Sequence, residues 1–134
     1  MNTSFLAIAA LSLTVATSFF GAPKAHAAAP VCYPYGGAGY CQYTGKVVKA
    51  YVNAYDQILL YFDAPVDLNH AVSVGLTGAS VSVAAIYNMA ANKDFGKMLY
   101  ATLLAAQSRG ANVEVQMHSV SGGYLAIDRI WIVE

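Results

Sequence analysis

The sequence predicts a mainly β domain with one helix: five strands in a Greek-key barrel, the helix inserted between the third and the fourth. Three observations lead there. Short runs of alternating apolar and polar residues recur between turn signals. One segment, Lys93 to Arg109, changes to a helical period. The resulting order is strand, strand, strand, helix, strand, strand, which suits a barrel closed around one inserted helix.

Before these elements comes an export signature. Phe5 to Phe20 is apolar without a charge, and Ala25-His26-Ala27 supplies small residues at the two positions a signal peptidase reads. Residues 1–27 are therefore expected to be a secretory signal, cleaved before Ala28. The opening Met1-Asn2-Thr3-Ser4 carries no Lys or Arg, so its positive charge rests on the terminal amine. The competing reading is an uncleaved anchor, for which a run of about 16 residues is short against the ~20 that span a bilayer. Cleavage would leave about 107 residues, enough for one domain with a single core.

Cleavage also removes Lys24, leaving six Lys plus Arg against seven Asp plus Glu. Binding a phosphate backbone leans on many cationic contacts, so a near-neutral chain argues against a nucleic-acid partner. No polybasic patch addresses anionic lipid, so no membrane contact is expected once the signal is gone.

Both cysteines fall in Cys32-Tyr33-Pro34-Tyr35-Gly36-Gly37-Ala38-Gly39-Tyr40-Cys41. In an oxidising compartment an even count in a small chain reads as a bridge, and Cys32–Cys41 is expected to be a disulfide. Two thiols nine positions apart without a nearby His are half a zinc site at best, and they lack the spacing of a thioredoxin-type pair. Residues 28–43 thus read as a disulfide-closed amino-terminal segment capping a domain of residues 44–134.

The first strand of that domain is expected over Thr44 to Asn53, with Val48, Ala50 and Val52 on one face. Ala54-Tyr55-Asp56 turns it into Gln57 to Asp63, completing a hairpin that Pro65 ends. From Val66 to Ser80 the turn residues Asp67, Asn69, Gly75 and Gly78 predict a loop or edge segment. Ser80 to Tyr87 is the third strand.

The helix follows, with Phe95, Met98, Leu99, Thr102, Leu103 and Ala106 along one face. Asn92 is placed to cap its start and Asp94 suits the positive end of its dipole. Gly110 closes it, free to take a left-handed conformation. Asn112 to His118 alternates strictly, Val113, Val115 and Met117 inward. After the turn Ser119 to Gly123, Tyr124 to Val133 is the last strand. Its apolar phase slips between Ile127 and Ile130, predicting a bulge near Asp128-Arg129 or burial on both faces.

One helix between the third and fourth strands of a five-stranded Greek-key barrel is the arrangement of the OB-fold. The segment from Phe95, "FGKMLYATLLAAQSRGANVEVQMHSVSGGYLAIDRIWIVE", resembles a group of small exported bacterial proteins, many of unassigned function. That group in turn is similar to the receptor-binding B subunits of AB5 toxins, over roughly residues 44–134. The resemblance implies an OB-fold, pentameric assembly and cell-surface glycans as ligands. It rests on core-facing positions and helix caps, and no glycan-binding motif transfers residue by residue.

The residues offer little chemistry of the catalytic kind. No phosphate-cradling glycine loop and no Gly-x-Ser-x-Gly elbow is present, and neither an enzyme nor a resident cofactor or metal is expected. His118, Ser119 and Asp128 are a tempting set, but neighbours along a strand point to opposite faces, and a surface His with turn serines is the plainer reading. His70 reads as a solvated loop residue.

Tyrosine is in excess, at ten residues beside one Trp. An aromatic ring stacks on the C–H face of a sugar while the phenol bonds its hydroxyls. Tyr33, Tyr35, Tyr40, Tyr55 and Tyr124 fall on the amino-terminal loop or at turns, where binding residues concentrate, and are the candidate ligand contacts. Asp128, Arg129 and Trp131 are either an edge guard or part of an interface between copies. The chain is thus expected to be a secreted or periplasmic binding module without catalysis, recognising a glycan or another envelope component. The alternative is an envelope protein whose sheet edge meets a protein partner.

Overall fold

The computed structural model describes residues 28–133, and the expected signal over 1–27 lies outside the described residues. Seven strands and two helices follow one another: β1 (Ala28–Tyr33), β2 (Tyr40–Gly45), β3 (Val47–Asn53), β4 (Gln57–Phe62), α1 (Leu68–Ser73), β5 (Val81–Asn88), α2 (Lys93–Arg109), β6 (Asn112–Ser121) and β7 (Tyr124–Val133). All strands join one sheet in the order β1-β2-β6-β7-β5-β4-β3. The β5–β7 pair is parallel and the others are antiparallel.

This corrects the expected fold. The chain is mainly β, but its sheet is open, mixed and seven-stranded, not a closed five-stranded OB-fold barrel, and it carries two helices instead of one. The cysteine segment is the first reason. Tyr33 and Tyr40 are register partners, as are Cys32 and Cys41, so the segment is a hairpin built into the sheet through β2 and β6. The second reason is Lys46. The strand expected over Thr44 to Asn53 is interrupted there, leaving β2 against β6 and β3 at the far edge against β4 alone. One residue joins the second strand of the sheet to the last, so the sheet must curl strongly to bring them together.

The inner face of that curl holds the core. Tyr43 from β2, Leu60 from β4, Val113, Val115 and Met117 from β6 and Leu125 from β7 are all fully buried there. Helix α2 adds Leu99, Leu103 and Ala106 from the stripe its period predicts, with Phe95 packed against the core, whereas Met98, expected on the same face, is exposed. Its ends are as expected: Asn92 Oδ1 accepts from the amides of Asp94 and Phe95 at 3.1 and 3.0 Å, and Gly110 takes a φ of 62°. Gly96 lets the first turn sit close to the sheet, because a Cβ there would lie 2.9 Å from Met89 Cγ and 3.1 Å from Tyr87 Cε1.

The stretch after Pro65, expected to be a loop or edge segment, contains α1 instead. Asp67 caps it, its Oδ1 accepting from Asn69 and His70 amides at 2.9 and 3.3 Å, and Ala71 is buried beneath. Its carboxyl end leans on the disulfide hairpin: a Cβ on Gly39 would clash with Val74. The disulfide itself is formed, with an S–S distance of 2.00 Å.

Candidate functional site

The outer face of β1, β2, β6 and β7 gathers polar and aromatic side chains. On β2 and β6 the buried residues are Cys41, Tyr43, Gly45, Val113, Val115 and Met117, so Tyr40, Gln42, Gln116 and His118 face the other way. Strand pairing sets them side by side. Tyr33 is opposite Tyr40, Gln42 opposite Gln116, and Gln116 opposite Arg129.

Their contacts form a chain of rings. Tyr40 stacks on His118, centroids 5.0 Å apart and planes 19° apart. Tyr33 lies against Tyr40 at 5.3 Å, and Tyr35 meets it edge-on at 6.4 Å. Tyr33 and Tyr35 remain exposed, at 41% and 70%. Alongside, Gln116 Nε2 donates to Gln42 Oε1 at 2.8 Å, which fixes both amides flat against the sheet.

A pair of bulges ends the row. The β6–β7 register passes from Gln116↔Arg129 to Met117↔Ile127 and then to Ser119↔Ala126, so Asp128 is extra on one strand and His118 on the other. The phase slip in the sequence at Asp128-Arg129 is this bulge, and both residues are exposed; β7 lies between β6 and β5, so they stand within the sheet and are not the expected edge guard. Asp128 Oδ2 accepts from Arg129 Nε at 3.1 Å and lies 3.9 Å from His118 Nε2. His118 Nε2 is itself shielded from water and has no hydrogen-bond partner.

Of the five candidate tyrosines, then, Tyr33, Tyr35 and Tyr40 come together, whereas Tyr55 and Tyr124 do not. Tyr55 stands at 82% exposure on the β3–β4 turn and Tyr124 opens β7, and neither has a ring contact with the group. Trp131 lies on the same face of β7, paired with Glu114 and about one-third exposed. His118 is the member that sequence reasoning passed over as an ordinary surface residue. Its outward phase on β6 was visible; its ring partner Tyr40, 78 positions earlier, was not.

No family model, no curated protein and no solved structure matches this chain. Function must be read from the side chains.

Beyond Asp128 the bulged ladder borders a cleft of about 530 Å³, between β5, the turn into α2 and the end of the β6–β7 pair. A smaller hollow of about 330 Å³ lies at the other end of α2, beside Lys46 and Gly110. Among the described residues no three His, Cys, Asp or Glu side chains lie close enough to hold a metal ion. His118 makes no hydrogen bond to Ser119 or Ser121, the bond a base-activated nucleophile requires. The outer face sets its rings beside two amides, a carboxylate and a guanidinium. His70, in the last turn of α1, is exposed.

Proposed function

We propose that this chain is an exported, non-catalytic binding module that recognises a glycan on the outer face of β1, β2, β6 and β7. The observation that carries the reading is the Tyr33–Tyr40–His118 row with Tyr35 at its edge. Sugar rings dock on exposed aromatic faces because their C–H surface is apolar, while hydroxyls around the ring find amide, carboxylate and guanidinium partners. Gln42, Gln116, Asp128 and Arg129 supply those partners along the same face. The disulfide supports export, since such bridges persist in oxidising compartments. No described helix is long and apolar enough to cross a membrane.

A glycan array, followed by tyrosine and tryptophan fluorescence titration with the saccharides it selects, tests the reading. Binding that falls at least tenfold in Tyr40→Ala is expected, in keeping with the loss of one stacking ring. Flat responses over a broad panel would overturn it.

A second reading is favoured by a different observation. Edge strand β3 exposes Val48 and Val52, and α2 exposes Met98 and Leu104. A strand edge with apolar side chains is a surface on which an envelope protein or another copy of the chain can pair. Co-purification of one envelope component with a glycan-blind protein would favour this alternative.

A further inference from the structure

The cleft beside Asp128 lies next to the aromatic row, and its walls define a ligand of their own. We infer that it is a second subsite, for a neutral, hydroxyl-rich unit of the same ligand that docks on the Tyr33–Tyr40–His118 row. The inference rests on the glycan reading and adds where a further sugar sits and what charge it carries.

Size is the first support. A volume of about 530 Å³ falls in the range of small-molecule sites, roughly 300 to 1,000 Å³. The walls are mixed, with Ile86, Phe95 and Ala126 giving apolar surface and Ser119, Ser121 and two asparagines giving polar atoms.

The asparagines have their orientation set by the backbone. Asn88 Oδ1 accepts from the Ala90 amide at 3.0 Å, and Asn92 Oδ1 accepts from the first amides of α2. Each carboxamide oxygen is therefore engaged, which leaves Nδ2 as the donor end. The Ser119 and Ser121 hydroxyls both donate and accept, and Asp128 only accepts. A ligand carrying many hydroxyls, each donor and acceptor at once, matches that set.

Charge selects further. Asp128 is the one charged residue lining the cleft, and no Lys, Arg or His lines it. An anionic group placed there would face that carboxylate with no cation in the wall. A cationic group would have to compete with Arg129, whose Nε lies 3.1 Å from the same Oδ2 of Asp128 outside the cleft wall. A neutral unit carries no such penalty.

Asp128 also joins the two places. It lines the cleft and stands 3.9 Å from His118 Nε2, whose ring stacks on Tyr40. The double bulge lies between them: Ser119 and its register partner Ala126 line the cleft, and the extra residues His118 and Asp128 stand between that pair and the row. A ligand of two or more units can fill both.

The test uses backbone amide NMR shifts of the protein titrated with neutral hexose oligosaccharides of one to four units, with a sialylated trisaccharide and inorganic phosphate as anionic probes. Shifts at Asn88, Asn92, Ser119 and Ser121 are expected with neutral probes of two or more units. Ser121→Leu, at an exposed position, should weaken those probes roughly tenfold and leave single units unchanged. Shifts confined to Tyr33, Tyr40 and His118 would overturn the subsite and leave the glycan reading standing. Absence of any saccharide shift would overturn both. Tighter binding of the anionic probes in the cleft would overturn the charge argument.

Discussion

Tyr43 is fully buried, and its hydroxyl lies 2.8 Å from Asp63 Oδ1 and 2.7 Å from the carbonyl of Lys46. It thereby anchors the short break between β2 and β3. Its ring stacks on Phe62 at 4.1 Å, which ties the same break to β4. Burial, with the Asp63 carboxylate beside it, pushes the phenol above its ordinary pKa. The folded protein therefore holds this proton more tightly than the unfolded chain does. The resulting stabilisation is complete below about pH 10 and is lost as pH climbs beyond it. Tyr43→Phe should cost about 1–3 kcal/mol at pH 7 in urea unfolding, and the alkaline fall in stability should become shallower. An unchanged alkaline limb would show that Tyr43 does not contribute to it. At this scale the sequence placed Tyr43 at the end of a capping segment and gave no sign that its hydroxyl reaches a carboxylate 20 positions away.

Among the elements, α2 was the most legible because everything that defines it is local. Its apolar stripe, its Asn92 cap and the left-handed Gly110 lie within one continuous stretch of chain. Helix α1 was not legible: at six residues it is too short to show a period, and its cap Asp67 carries the same signal as a turn. Gly96 makes the contrast testable. In an exposed helix Gly→Ala gains up to about 1 kcal/mol from propensity. Here the added methyl meets Met89 and Tyr87, and Tyr87 is held by its hydroxyl donating to Asn92 O at 2.8 Å. Gly96→Ala is thus expected to lower stability by about 1 kcal/mol in denaturant melts. The hairpin β1–β2 gives a second test. Replacing Cys32 and Cys41 together by Ser should cost about 2–3 kcal/mol, read as a lower Tm, because the bridge closes a short loop in the unfolded chain. Tyr33 and Tyr40 flank the bridge, so saccharide binding should weaken along with stability; binding lost at unchanged Tm would show that the loop serves the ligand more than the fold.

For the molecule as a whole, the sheet is open and seven-stranded, and assembly of several copies stands as a separate proposal. Val48 and Val52 at the β3 edge, with Trp131 on β7, are the surfaces that several copies would cover. Light scattering is expected to give a mass several times that of one chain, and Val52→Lys should shift it toward the monomer. A single-chain mass for the unaltered protein would overturn assembly while leaving the ligand face untouched.

The sequence by itself determined what depends on near neighbours in the chain: the period of α2 and of the strands from β4 onward, the caps of α2, the bridge between two nearby cysteines and a phase slip at Asp128. Tertiary structure alone decided what depends on distant pairing. It set β2 against β6, and so laid Tyr40 on His118; it set β5 beside β7, and so opened the cleft at Asp128. Alternation fixes which face a side chain takes, because successive residues point to opposite sides of a strand. It carries no information about which strand lies alongside, and the ligand face of this protein is made from that choice.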